Sequence, residues 1–179
     1  DALVGMCISL GLLEEADSNI MKDPVCLLEA LRRTGDKLAL FCEAGQIYLP
    51  RKLSVVYTLL EKMVFQVVTK AMKGIKYPSF HPKFWLLRYT NKEEVLYRIV
   101  VLSRNLTFDR SWDICFYMDG KPGEETDKNI PVADFLKYLL KQLPKSEIAK
   151  AKQIRQLIKE LDYVNFETGM KEFYDFEFI

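Results

Sequence analysis

Residues 80–103 read FHPKFWLLRYTNKEEVLYRIVVLS, and the fold follows from how this stretch divides. FHPKFWLLRY (80–89) is rich in aromatics and alternates in part, whereas VLYRIVVLS (95–103) is strongly β-branched. A polar turn, Thr90 to Glu94, lies between them, and Pro78 punctuates the chain just ahead. Two such runs across a loop of about five residues predict an antiparallel hairpin. Its closed end is the turn. At its open end the start of the first strand and the end of the second return side by side, so residues near 81 and 105 are expected to meet.

Outward from the hairpin, WDICFYMDG (112–120) reads as the next strand, closed by turn chemistry at Gly120-Lys-Pro-Gly123. Val132, Phe135, Leu136, Leu139, Leu140 and Leu143 then recur at helical spacing up to Pro144. Ser146 and Glu147 open a second helix, charged on one face, through about Leu161. The last residues, KEFYDFEFI, alternate like a strand. On the N-terminal side, the apolar run ALVGMCISL (2–10) reads as a buried strand. Asp23-Pro24 then starts a helix carrying Val25, Leu27, Leu28 and Leu31 and stopping at Gly35. KLALFCEAG (37–45) follows as a strand, so strand, helix, strand suggests a parallel crossover. Residues 52–70 read both ways: Leu53, Val56, Leu59 and Leu60 suit a helix, and VFQVV (64–68) suits a strand. The sum is an α/β chain, expected to be a mixed sheet flanked by helices over 1–125 and a helical extension over 126–179.

Composition bounds the function. The 179 residues are 49% hydrophobic and 28% charged, enough for an ordinary globular core. With 26 basic and 25 acidic residues the net charge is +1, which argues against coating nucleic acid by bulk charge and leaves room for a local basic cleft. Cys7, Cys26, Cys42 and Cys115 lie far apart without a C-x-x-C pair, so they read as reduced, buried thiols of a cytoplasmic protein rather than zinc ligands. No apolar run approaches the ~20 residues of a membrane span, and the N-terminus lacks a signal-peptide layout. The chain opens on Asp1, inside an apolar run, and reads as part of a longer protein.

The only histidine of the chain, His81, stands in His81-Pro82-Lys83. Residues i and i+2 of a strand share a face, which delivers an imidazole and an ammonium side by side. Ser103-Arg104-Asn105, at the end of the next strand, supplies a second i, i+2 pair at the same end of the hairpin. Such a cluster suits the handling of a phosphate diester. Lys83 and Asn105 aim a charge and a neutral donor at the non-bridging oxygens, and Ser103 donates to the same phosphate or braces its neighbours. His81 attacks phosphorus or protonates the leaving oxygen. Asp113, ahead of Asp109, is the carboxylate expected to hold its tautomer. The scheme requires no metal and no cofactor. Arg104 and Arg110 are positioned to reach neighbouring phosphates of a polymer, and Trp85, on the Lys83 face, to stack on a base. Phe80, Phe108 and Trp112 read mainly as core, and Glu43 mainly as a solvated strand-end residue.

His81-x-Lys83, an apolar strand, and then Ser103-x-Asn105-Leu106-Thr107 resemble the H-x-K…G-S-x-N signature of the phospholipase D superfamily, with Asp113 similar to its downstream carboxylate. The likeness covers about residues 78–120 closely and 1–120 in outline. Two positions depart from the pattern. Arg88 stands five residues after Lys83, where many members carry aspartate, and Leu102 replaces the glycine before Ser103. Members resembling tyrosyl-DNA phosphodiesterases also lack that aspartate, so the likeness leans to the nuclease side. It implies a metal-independent phosphodiesterase that passes through a phosphohistidine and uses two motifs, one histidine attacking and the other acting as acid. A chain with one motif then needs a homodimer partner or a second half-domain. Two other readings accompany this one: a phosphate- or nucleic-acid-binding module without turnover, and a phospholipid phosphodiesterase. The lipid reading finds no interfacial helix to support it.

Overall fold

The computed structural model describes residues 2–12, 24–47, 55–70, 78–105, 110–173 and 175–179. The chain is α/β, with its strands distributed over two sheets. Packing divides it into two compact units, Asp1–His81 and Pro82–Ile179. The segment 126–179, read from sequence as an extension, contributes its helices and a strand to the same unit as the hairpin.

In the first unit α1 (Ala2–Leu12) and α2 (Pro24–Lys37) pack together, and β1 (Leu40–Glu43) pairs in parallel with β2 (Val64–Val67). A 3₁₀ helix, Val55–Leu60, lies between the strands, so both readings of 52–70 hold, one after the other. The run at 2–10 is a helix and not the expected strand. At 11 residues the element outruns a typical buried strand, and an apolar run that long is equally suited to a helix buried on several sides. Leu3, Val4, Met6 and Ile8 all pack against the cluster of Cys7, Leu31 and Met63, which are fully buried. The Thr34 hydroxyl lies 2.8 Å from the Cys7 carbonyl and 2.9 Å from that of Ala30, which ties the two helices together. The parallel crossover therefore occurs one step later than expected, between β1 and β2.

The second unit is a four-stranded antiparallel sheet in the order β3 (Phe84–Thr90), β4 (Val95–Leu102), β5 (Cys115–Pro122), β6 (Val164–Glu167). The predicted hairpin forms with Phe84 opposite Val101 and Thr90 opposite Val95. Asn91 closes its turn, its side-chain oxygen accepting from the backbone N–H of Glu93 and Glu94 at 2.8 and 2.6 Å. The helices α3 (Ile130–Leu140) and α4 (Ile148–Leu161) agree with the periodicity. One sheet face, bearing Tyr97, Ile99, Met118 and Phe166, is buried, as are Val132, Leu136, Leu139, Ile154 and Leu161 of the helices. Each such large aliphatic or aromatic side chain contributes about 1.5–3 kcal/mol on full burial. Buried Asn129 donates to the carbonyls of Leu161 and Val164, pinning the start of α3 to the end of α4.

Two expectations fail here. The third strand does not turn at Gly120 but continues to Pro122, because it has a further partner, β6, whose four residues carry too short a pattern to stand out. Gly120 is needed there because a Cβ would come within 2.6–2.7 Å of Phe166 and Val164. The alternating tail 171–179 forms no strand among the described residues; Phe176 and Phe178 instead pack edge to face, and Phe178 meets Phe166.

Candidate functional site

The open end of the hairpin is fixed by backbone bonds. Beyond the last strand pair, the Leu102 N–H donates to the Lys83 carbonyl at 2.9 Å, so Lys83 lies on the rung beside the chain that runs into Ser103, Arg104 and Asn105. On the other side of β4 the Ser103 N–H donates to the Ile114 carbonyl, also at 2.9 Å. Three segments, 83, 103–105 and 113–114, thus reach the same end of one sheet although some 30 residues of chain separate the first from the last.

Ser103 is the joint between two of them. Its hydroxyl donates to the Asp113 carboxylate at 2.5 Å and accepts from the Ile114 N–H at 2.9 Å. With one proton to give, the hydroxyl has the bonds of a brace rather than those of a phosphate donor. Asp113, expected to orient His81, accepts here from Ser103. Lys83 and Arg104 are half-buried, and Asn105, Arg110 and Asp113 are exposed. His81 is exposed and is the last residue of the first unit, two positions ahead of Lys83 in the chain. In that unit Ser79 donates to Glu43 at 3.2 Å, so the end of β1 is tied to the segment that leads into His81. Asp109, Phe108 and the Leu106-Thr107 part of the motif lie outside the described residues.

Arg88, the departure from the family pattern, has a structural partner. It lies on the helix-facing side and bonds Glu160 of α4 through two nitrogens, at 2.8 and 3.1 Å. Tyr97 donates to the same carboxylate at 2.7 Å, as does Gln156. Burial alone would push the Glu160 carboxyl up, but the bonds from Arg88, Gln156 and Tyr97 outweigh it and hold it below its ordinary value. Burial, aided by the bond to Glu160, pushes the Tyr97 phenol up to about 12. An aspartate at position 88 would face Glu160 and leave this cluster with like charges.

The two tryptophans differ in exposure. Trp85, the predicted stacking residue, is half-buried within β3 opposite Val100. Trp112, read as core, is 97% exposed, with Ile114 beside it at 76%. The signal that separates them is local: Trp112 sits between Arg110-Ser111 and Asp113, whereas Trp85 sits in an apolar strand. Among the cysteines Cys7 is buried, its thiol pushed up to about 11 by desolvation, but Cys115 is exposed at the start of β5. All four are free thiols.

Among the described residues no group of three or more His, Cys, Asp or Glu is placed to hold a metal ion, and no helix is long and apolar enough to cross a membrane. No family model, curated protein or solved structure matches the chain.

Proposed function

We propose that the chain contributes one half of a metal-independent phosphodiesterase site, nuclease-like in substrate, that works through a phosphohistidine. The observation that supports this reading most is the bond from Leu102 to the Lys83 carbonyl, because it brings the chain around Lys83 alongside that of Ser103 to Asn105. Lys83 then offers charge, and Asn105 a neutral N–H, to the non-bridging oxygens of a diester, whose charge has to be held in the transition state. The Ser103–Asp113 pair keeps the loop that carries Asn105 in register with β5.

In the reaction a ring nitrogen of neutral His81 attacks phosphorus and a P–N bond forms as the P–O bond to the leaving alcohol breaks. A second motif, from another copy of the chain or another segment, protonates that oxygen. Water then attacks the phosphohistidine, gives its proton to the same second group, and the P–N bond breaks to return His81 and a phosphate monoester. The single imidazole of this chain is the reason a second motif is required.

The test is hydrolysis of a chromogenic phosphate diester in EDTA by the chain and by His81→Gln. Activity that survives the chelator and disappears in the variant supports the reading, and requires that two copies share one site. A chain that binds phosphate polymers and turns over nothing, alone or with an added second half, would sink it in favour of a binding module.

A further inference from the structure

We infer that Trp112 is a base-stacking residue that makes this end of the sheet selective for single-stranded nucleic acid. The inference rests on the reading of Lys83 and Asn105 as phosphate-holding groups, and adds to it the form of polymer that they meet.

A tryptophan side chain left 97% in water is the least expected exposure in the described chain, since burial of an aromatic of this size is strongly favourable. Trp112 adjoins Asp113, whose carboxylate is bonded to Ser103, so the backbone of Trp112 is one residue from the point where the chain leaving β4 toward Arg104 and Asn105 is tied. Arg110, exposed, lies two residues before it. An exposed arginine, an exposed indole and phosphate-type donors on adjoining stretches of chain are the ingredients of a single-strand groove, where charge follows the backbone and aromatic faces take the bases. Ile114, 76% exposed, extends the apolar rim beside the indole.

The occupant follows from this chemistry. A duplex has its base faces covered by their neighbours, so a protruding indole gains nothing from it without unstacking. A second protein surface is the poorer fit, because Arg110 and Asp113 place charge on both sides of Trp112, and the cores of protein interfaces are depleted in charge. Any base offers a π-face, so the contact discriminates strandedness and not sequence.

The test is fluorescence anisotropy with a labelled oligothymidylate of about twelve nucleotides, within the ~4–16-nucleotide sites typical of such grooves. Trp112→Ala should weaken its binding about tenfold or more, and Trp112→Phe should retain most of the affinity. An oligomer of the same length with abasic positions, and a duplex of the same length, should bind both the parent chain and Trp112→Ala equally. Equal loss on the abasic oligomer, no loss on oligothymidylate, or a Trp112→Ala effect confined to sedimentation as a dimer would each overturn the inference. Binding is read without turnover, so the two proposals fail separately. A chain that holds oligothymidylate through Trp112 and hydrolyses no diester, alone or with an added second half, removes the phosphodiesterase reading and leaves this inference standing.

Discussion

The hairpin of β3 and β4 carries two polar clusters that differ in almost every physical respect. On the helix-facing side, Arg88, Tyr97 and Gln156 converge on one carboxylate, Glu160, with every bond between 2.7 and 3.1 Å. At the open end, Ser103, Asn105, Arg110, Asp113 and Trp112 are exposed, and the bond from Ser103 to Asp113 is made at the surface. A satisfied cluster of the first kind fixes how a helix lies on a sheet. A cluster of the second kind contributes little to stability because solvent competes for its bonds, and for the same reason it is accessible to a ligand. The hairpin thus carries one polar cluster sheltered under a helix and another at the surface.

The largest expected effect is the one that the proposed function assigns to His81. His81→Gln should lower diester hydrolysis by about 10²- to 10⁴-fold, while the urea midpoint of the exposed site moves little. A variant that loses both activity and stability would erase the distinction between the clusters. The reverse pattern is expected at Glu160. Glu160→Ala should destabilise the second unit by about 2–3 kcal/mol in urea denaturation, since it strands the half-buried Arg88 and the Tyr97 hydroxyl. The parent chain should lose the same contribution in acid. The Glu160 carboxyl is held below its ordinary value of 4.5, so its stabilisation is present above that pH and fades as pH falls through the lower folded value.

A smaller effect probes the sheet between the clusters. Gly120→Ala should destabilise by about 1–3 kcal/mol, because the new methyl group meets the Phe166 ring and Val164 at 2.6–2.7 Å. Circular dichroism during thermal unfolding reads this directly, and an unchanged midpoint would mean that β6 yields easily. The smallest effect is at Tyr97. Tyr97→Phe should remove about 1 kcal/mol at neutral pH. It should also flatten the alkaline limb of the stability curve: a phenol raised from 10.0 to about 12 stabilises fully below pH 10 and loses that contribution as pH rises toward 12.

Much of this was legible without coordinates where a pattern was local. The hairpin at 84–102 was readable because β-branched residues, aromatics and an Asn-containing turn all agree. The helices near 130–140 and 148–161 were readable because apolar spacing and Pro144 mark them. What failed was decided at long range. ALVGMCISL offers no periodicity to choose between strand and helix, and packing against Leu31 and Met63 makes the choice. β6 is four residues long and exists because β5 presents an edge to it.

The same division runs through the candidate site. The sequence by itself determined the residue types, the spacing of His81 with Lys83 and of Ser103 with Asn105 along the chain, and the hairpin of β3 and β4; neither pair lies within a strand, because β3 starts at Phe84 and β4 ends at Leu102. Only the tertiary structure decided the partners: Ser103 bonded to Asp113, Arg88 to a carboxylate 72 residues away, Trp112 in water and Trp85 in the sheet. Spacing along a strand is a property of the backbone and repeats in any protein. A hydrogen-bond partner or an exposure depends on which distant element arrives, and no local pattern encodes that.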